Sequence, residues 1–522
     1  MESLFKRLLN YYQISEEEYS SLTMEVTKEN FALGHSFDDM DNCVRVVENA
    51  IKNNKKIFIY GDYDCDGIMS VSILTKMFQM VNYPVSYHIP NRYTDGYGLN
   101  LQRSEEIVNA GFDLLITVDN GITAFEGIEY AKKHGLEVLV FDHHQPGEVL
   151  PQADYILHPT VSHFGDVATS AGFVTFMFAT SYLKRFDNYL ATLASISLVS
   201  DMMPLLDYNR NLLRLMIKEY PNSPFYSIDL LRENEPFNEN TVGMKIAPKI
   251  NAIGRLIDED CYLSRTVEYF TSNDKELILN YNEWINSVNN ERKELTKEAV
   301  ENAKEIDTDS PAIVGVIPQK EGIIGLIANF FVKKYHKPTI IFALDQSGEI
   351  YKGSCRSPEG FNVVDAFNKM GPLLEAAGGH AMAGGCSVRK ENLEAFKKEF
   401  NELAKDYKGE EKAEVKTIPL YINEINFENY ALIESFSPFG ESWASPLFCL
   451  PRIRVQSLMY SRDSQHILTS IGNNSRLTGF RFSKDSLAQY QFIDMVGILR
   501  LSTYFNKTTI EFLVNEINET KK

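Results

Sequence analysis

The stretch Ile57-Phe58-Ile59-Tyr60-Gly61-Asp62-Tyr63-Asp64-Cys65-Asp66-Gly67 limits what this chain can fold into more than any other. A short, continuous apolar run that stops at a turn has the pattern of a strand buried on both faces of a parallel sheet. In open α/β sheets, ligands sit outside the carboxyl ends of the strands, and here that end carries three alternating aspartates. Carboxylates so crowded repel one another and raise their own pKa values unless a cation neutralises them. A hard divalent metal ion with oxygen ligands is the simplest remedy. Taken alone, the same residues also fit a solvated acidic turn. Cys65, between two of the aspartates, reads as a small apolar filler facing away from them.

The pattern recurs. Residues 85–89 form an apolar-rich run that ends in Pro90-Asn91-Arg92, Leu114–Val118 ends in Asp119-Asn120-Gly121, and 138–141 ends in Asp142-His143-His144. Helical segments at 70–78 and about 124–134 lie between them, which predicts a parallel sheet with right-handed crossovers. Three strand ends thus carry aspartate, and the last adds two histidines. On neighbouring strands these side chains converge on one sheet edge. Carboxylates with imidazole suit Mn²⁺ or Mg²⁺, with Mn²⁺ favoured where histidine joins. Singly, Asp-Asn-Gly is an ordinary turn and a His pair an ordinary surface feature; their shared topological position argues against that. Apolar helical stretches at 171–177 and 191–200 follow. Asp201 ends the second one, either as one more ligand or as a plain helix terminus.

At 522 residues the chain exceeds a single core, so about two to four domains are expected. Hydrophobic residues at 44% and charged residues at 24% fit an ordinary water-soluble protein. No apolar run reaches the roughly 18 residues of a membrane span, and Met1-Glu2-Ser3-Leu4-Phe5-Lys6-Arg7 lacks a signal-peptide core. A cytoplasmic protein without membrane contact is expected. The six cysteines form no CxxC pair, which argues against a zinc ribbon or a disulfide framework. The formal charge of −19 argues against sequence-independent coating of DNA. It leaves room for a nucleic-acid enzyme, because acidic metal ligands inflate the count and a local basic groove can sit in an acidic exterior.

Residues 1 to about 50 read as polar helices capping the domain that follows. Around 274–305 a charged stretch without glycine or proline carries a limited apolar stripe. It fits a long connector between domains, or equally a bundle helix of the first. A second α/β unit has strands at 312–317 and 339–344 around a helix at 325–331. Gly353-Ser354-Cys355-Arg356-Ser357 and Ala376-Ala377-Gly378-Gly379-His380-Ala381-Met382-Ala383-Gly384-Gly385 are glycine-rich; packing is the default explanation, and as loops their N–H groups could cradle phosphate. A linker is expected at Lys405-Asp406-Tyr407-Lys408-Gly409-Glu410-Glu411-Lys412. Short strands at 453–455, 467–471, 477–482, 492–499 and 510–514 suggest a small β-barrel. Its Arg452, Arg454, Tyr460, Arg476, Phe480 and Arg481 suit a single-strand-binding face, or equally ordinary core aromatics and solvated arginines.

With these residues laid out, the chain resembles the DHH phosphoesterase superfamily, and within it the RecJ-type single-strand-specific 5′→3′ DNA exonucleases. Tyr60-Gly61-Asp62-Tyr63-Asp64-Cys65-Asp66-Gly67, Val118-Asp119-Asn120-Gly121-Ile122, Asp142-His143-His144 and Ser200-Asp201-Met202-Met203-Pro204-Leu205 look like its four acidic motifs. Pro248-Lys249-Ile250-Asn251-Ala252-Ile253-Gly254-Arg255-Leu256 resembles a RecJ-specific element. Gly378-Gly379-His380-Ala381-Met382-Ala383-Gly384-Gly385 is similar to the glycine-rich motif of the DHH-associated domain, and Ser435-Phe436-Ser437-Pro438-Phe439-Gly440 to the start of the OB-fold. The resemblance implies an α/β fold: an N-terminal helical cap (1–45), a parallel-sheet DHH domain (46–272), a long connecting helix (273–306), a smaller α/β DHH-associated domain (307–408) and an OB-like β-barrel (415–522).

The resemblance also implies roles. Asp64, Asp66, Asp119, His143 and Asp201 would bind two ions of Mn²⁺ or Mg²⁺, with Asp119 bridging. Asp62 would join these ligands, because Tyr60 replaces an upstream metal-binding histidine of the superfamily; Asp62, Asp119, His143 and His144 are the implied catalytic set. His144 would face the scissile phosphate. Arg92, Arg255, Ser354 and Arg356 would form the pocket for the 5′ end, with Asn251 and Gly379 in the substrate-binding motifs and His380 on the phosphate backbone. Two metal ions can clamp a phosphodiester and stabilise its leaving oxygen, leaving the protein mainly positioning and charge to supply. Implied partners are single-stranded DNA and a helicase or single-strand-binding protein; a monomer serving DNA recombination and repair is expected. Gly440-Glu441-Ser442-Trp443-Ala444-Ser445-Pro446 departs from the usual glycine-asparagine-proline pattern, and no domain beyond the OB-fold is expected. Rival readings are an oligoribonucleotide or cyclic-dinucleotide phosphodiesterase of the same superfamily, and a non-catalytic replication scaffold.

Overall fold

The computed structural model describes residues 2–302, 306–345, 347–407, 416–472, 474–504 and 507–520. The chain divides into two compact units, one of Ala32–Met203 with Leu215–Glu411, the other of Met1–Phe31, Pro204–Arg214 and Lys412–Lys522.

The first unit begins with five parallel strands, β1 (Ile57–Tyr60), β2 (Ser86–His88), β3 (Leu114–Val118), β4 (Glu137–Phe141) and β5 (Tyr155–Leu157), in the order β2-β1-β3-β4-β5. Every residue of β3 is buried, as a strand covered on both faces requires. Register sets the site: Tyr60 pairs with Thr117, and Val118 with Phe141. The residues that follow β1, β3 and β4 therefore leave the sheet side by side at its carboxyl edge. The helices Cys65–Met80, Ala171–Leu183 and Asn188–Ser200 pack on one another there. All three are buried over most of their surface, so their sequences are apolar all round rather than striped.

The long helix spans Lys275–Asn302 and buries Ile278, Asn282, Ile285, Val288 and Asn289 along one stripe. It packs on the helices Ala247–Leu256 and Asp260–Thr271 and also on Glu321–Tyr335 of the next sheet. Connector and bundle helix are thus one element; residues 303–305 of the expected span lie outside the described residues.

The second sheet holds β6 (Ile313–Ile317), β7 (Thr339–Leu344), β8 (Ile350–Arg356), β9 (Ala376–His380) and β10 (Ala383–Arg389), ordered β6-β7-β8-β10-β9. Gly353–Arg356 lie in β8, and the Ala376–Gly385 run forms β9 and β10, so the loop reading is corrected while the packing reading holds. The glycines make room between layers. A Cβ on Gly384 would stand 2.9 Å from both Phe367 and Val363 side chains.

In the second unit, helices Leu4–Tyr12 and Glu16–Thr23 join the C-terminal sheet, so the expected cap is corrected. Tyr12 stacks on Trp443 with ring centroids 4.3 Å apart, and Arg7 pairs with Glu424. In the first unit the helix Met40–Lys52 packs near β5. The C-terminal sheet contains β11 (Ile418–Pro419), β12 (Phe448–Arg454), β13 (Ile467–Ile471), β14 (Ser475–Gly479), β15 (Phe492–Tyr504) and β16 (Lys507–Glu519), ordered β11-β12-β15-β16-β14-β13. β14 stops before Phe480, while β15 and β16 outrun their expected ends. Arg210, 1% exposed, donates hydrogen bonds of 2.8 Å to the carbonyls of Phe436, Ser437 and Pro438. That contact gives the Ser435–Gly440 run a structural purpose. Of the expected linker, residues 408–412 lie outside the described residues.

Candidate active site

The turn after β1 is built around its aspartates. Asp64 caps the helix Cys65–Met80, its Oδ1 accepting from the N–H groups of Asp66 at 2.9 Å and Gly67 at 3.1 Å, as an N-cap carboxylate does. Position 67 has to be glycine, because a Cβ there would lie 2.5 Å from the Asp62 carbonyl oxygen. Asn251 Oδ1 accepts the Cys65 N–H at 2.8 Å. The structure thus uses Asn251, expected on the substrate, to hold this turn. Asp66, 1% exposed, accepts from Ala171 N at 2.9 Å, Gly172 N at 2.8 Å and Ser197 Oγ at 2.5 Å. Three donors on one carboxyl leave little freedom to rotate.

Asp119 follows β3 in the left-handed region, φ +60°, a conformation non-glycine residues adopt at a cost and mostly where function demands it. Asn120 ties β3 to β1, its Nδ2 donating to the carbonyls of Gly61 and Val118 at 2.9 Å each. After β4, Asp142 is fully buried and spent internally. Its Oδ2 accepts from Ile122 N at 2.9 Å, and its Oδ1 from His143 N at 2.7 Å and His144 Nδ1 at 2.8 Å. Asp201 is the C-cap of Asn188–Ser200, aimed at the same place.

These groups converge. His143 Nε2 lies 3.2 Å from Asp119 Oδ1, 3.4 Å from Asp201 Oδ2 and 3.5 Å from Asp66 Oδ2. Asp62, Asp64 and Asp119 form one cluster with metal-binding spacing, Asp66, His143 and Asp201 another, and Asp119 also groups with His143 and His144. Among the described residues, Asp62 Oδ1, Asp119 Oδ1 and His143 Nε2 are buried polar atoms with no hydrogen-bond partner. Such orphans need a ligand. Burial, then neighbouring carboxylates, pushes Asp62, Asp119 and Asp201 well above the usual carboxylate range. Burial also raises Asp66 and lowers His143. Acidic oxygens facing one another across a neutral imidazole are a donor set that fits hard divalent cations. Asp62 belongs to this set on geometry. His144 differs: burial opposes its charge, but the Asp142 carboxylate raises it to about 9.

Beside it lies a cavity of 380 Å³ lined by Arg92, Arg255, Glu321, Lys352, Ser354 and Arg356, among others. Burial, then the Arg92 charge, pushes Arg255 down to about 10. Arg92 lies over the Tyr63 ring at 4.1 Å, and Arg356 donates to Ser354 Oγ at 3.1 Å. The helix Glu321–Tyr335 brings Gly322 and Gly325 into the lining, so a helix N-terminus adds its positive end. Partly buried guanidiniums that repel one another call for an anion. Gly379 and His380 sit outside this lining on exposed β9.

Sequence reasoning missed Glu321, Lys352 and the two helix glycines, which only the fold brings to the cavity. It also missed Ser197 and Tyr97, whose hydroxyl lies 2.9 Å from His144 Nε2. On the C-terminal sheet, Arg476 is committed to Glu511 at 2.8 Å and Ser502 at 2.6 Å, and Arg452 lies over Phe492. Phe480, 54% exposed, remains open to a ligand.

Three family models match in order: the DHH family, N-terminal domain over residues 56–198, the DHHA1 domain over 311–406 and the RecJ OB domain over 418–516. The chain is 29% identical over 493 residues to the single-stranded-DNA-specific exonuclease RecJ of Bacillus subtilis, covering 90% of this chain and 62% of that protein. It is 30% identical over 447 residues to the Haemophilus influenzae protein of the same name, covering 78% of this chain and 77% of that one. The crystal structure of Thermus thermophilus RecJ in complex with Mn²⁺ has the same fold, with a TM-score of 0.82 at 22% identity over 99% of this chain and 78% of that one. A structure of exonuclease RecJ bound to manganese matches with a TM-score of 0.63 at 26% identity, covering 71% of this chain and 95% of that one. At 30% identity to a relative of which it covers 77%, and with all three domain models in RecJ order, the chain belongs to the RecJ family.

Proposed function

We propose that the chain is a divalent-metal-dependent exonuclease that hydrolyses single-stranded DNA from the 5′ end. The observation that carries this is the pairing of two sites: a buried carboxylate–imidazole edge with orphaned polar atoms, and an arginine-lined cavity beside it. Asp62, Asp64 and Asp119 would hold one cation and Asp66, His143 and Asp201 the other, with Asp119 shared. Bound cations supply charge neutralisation of the phosphodiester and a nucleophile at neutral pH. The chain's own groups supply position. Asp142 fixes the His144 ring, which would face the scissile phosphate. Arg92, Arg255, Ser354 and Arg356 receive the terminal 5′ phosphate and so set how far the strand advances. Gly379 and His380 on β9 follow the backbone beyond it. Phe480 offers a stacking face on the C-terminal sheet.

The relatives' names support single-stranded DNA as substrate, and the manganese-bound neighbour at 26% identity supports Mn²⁺. No helix among the described residues is long and apolar enough to cross a membrane. We further propose that the chain is a cytoplasmic monomer that works with a helicase or single-strand-binding protein in recombination and repair. The deciding assay incubates 5′-labelled single-stranded DNA, duplex and RNA oligomers with Mn²⁺, Mg²⁺ or chelator. Stepwise digestion of single-stranded DNA only with metal is expected, abolished by Asp119→Ala. Equal digestion by Asp119→Ala would overturn the assignment.

A further inference from the structure

Tyr97 is half exposed, at 48%, yet its hydroxyl is engaged. It lies 2.9 Å from His144 Nε2 and 3.4 Å from the Asp119 carbonyl oxygen, and its ring meets the imidazole edge-on at 5.3 Å between centroids. The residue stands between Gly96 at φ +76° and Gly98 at φ +75°, two left-handed positions that glycine adopts without strain. The loop is anchored below by Asp95, which Arg103 Nε contacts at 2.9 Å and His88 Nε2 at 3.1 Å.

The bonding options at His144 are few. Asp142 is a carboxylate and accepts only, so Nδ1–H donates to it. Nε2 then accepts from the Tyr97 O–H in the neutral ring. In the charged ring it donates to Tyr97 Oη, while the O–H turns to the Asp119 carbonyl. In both states the hydroxyl holds His144 Nε2 from a second loop; in the charged ring it also reaches the main chain of the motif after β3.

We propose that Tyr97 is a positioning residue for the nuclease reaction: its hydroxyl holds His144 Nε2 from a neighbouring loop and keeps the imidazole in one orientation while the strand is cut. A ring held only at Nδ1 can still tilt about that bond; a second tether from another loop stops the tilt. The inference rests on the reading of His144 as the residue that faces the scissile phosphate.

The experiment is a double-mutant cycle on the full chain with Mn²⁺ and 5′-labelled single-stranded DNA, using Tyr97→Phe, His144→Gln and the pair. Tyr97→Phe is expected to lower kcat about tenfold with KM within about twofold, the pattern of a lost transition-state contact. Mn²⁺ affinity and thermal midpoint are expected to hold. In the His144→Gln background the same change is expected to do nothing further. Full kcat in Tyr97→Phe, a loss confined to KM, or losses that multiply in the pair would each overturn the inference alone, provided His144→Gln is itself impaired. Unimpaired His144→Gln would overturn the reading of His144 and take the inference with it.

Discussion

At the scale of single residues, the site is a set of carboxyl groups held in place before any cation arrives. Asp66 shows how: two backbone N–H groups and the Ser197 hydroxyl take up its oxygens. Asp62 Oδ1 and Asp119 Oδ1 are left bare. Burial raises these acids, so the metal-free native state binds protons that the unfolded chain releases. The sign follows from linkage: native protons exceed unfolded ones between the two pKa values, so the stability of the metal-free protein falls as pH rises through that window. A cation needs the ionised form and displaces those protons. Mn²⁺ affinity is therefore expected to increase from about pH 5 to pH 8, with protons released on binding. Calorimetry in two buffers of different ionisation enthalpy reads the release, and thermal melts read the growing stabilisation by Mn²⁺. A pH-independent affinity would contradict the assignment of these aspartates. Ser197→Ala is expected to weaken Mn²⁺ binding about tenfold, within the range for residues that orient metal ligands. A titration of that variant checks it. The roles of Ser197 and Tyr97 were illegible in the sequence, since each depends on a hydroxyl meeting a side chain far away along the chain.

At the scale of elements, legibility followed burial pattern. β1, β3 and β4 could be read because a strand covered on both faces is a plain apolar run, and their register then delivered the aspartates together. β8, β9 and β10 could not. Glycine ordinarily marks loops, and here it marks strands crowded by neighbours; a Cβ on Gly353 would meet Phe342 and Ile340. The helix Glu321–Tyr335 was found, but nothing local said that its first turn borders the arginines. Gly325 makes that relation testable: a Cβ there would stand 3.0 Å from Ser354 Oγ and 3.2 Å from Arg356 Nη2. Gly325→Val improves helix propensity and fills the mouth of the cavity. It is expected to raise KM for 5′-phosphorylated single strands about tenfold, roughly 1.4 kcal/mol, with Mn²⁺ affinity unchanged. Steady-state kinetics on phosphorylated and unphosphorylated strands provide the check. An unaltered preference between them would separate this cavity from the 5′ end.

At the scale of the whole molecule, sequence order and spatial grouping part company. Residues at both ends of the chain, with Pro204–Arg214 from its middle, make one unit; no local pattern announces this, because the determinants are a Tyr12–Trp443 stack and the burial of Arg210. The same contacts explain the departure at Trp443. Its ring stacks on Tyr12 at 4.3 Å and has the Arg210 guanidinium 5.2 Å from its centroid, and its Nε1–H donates to the Phe436 carbonyl at 2.8 Å. A cation serving three carbonyls at once is costly to remove: the Ser437 and Pro438 carbonyls lose the guanidinium donors, and Phe436 keeps only the Trp443 Nε1–H. Arg210→Ala is expected to destabilise this unit by about 3 kcal/mol. The chain has two tryptophans, so Trp284→Phe leaves Trp443 as the sole indole reporter at the contact itself. In that background, a urea midpoint for Trp443 fluorescence unmoved by Arg210→Ala would show that the guanidinium does not hold the unit together. A lowered midpoint with unchanged slope is the outcome that buried charge, stacked ring and three carbonyls together require.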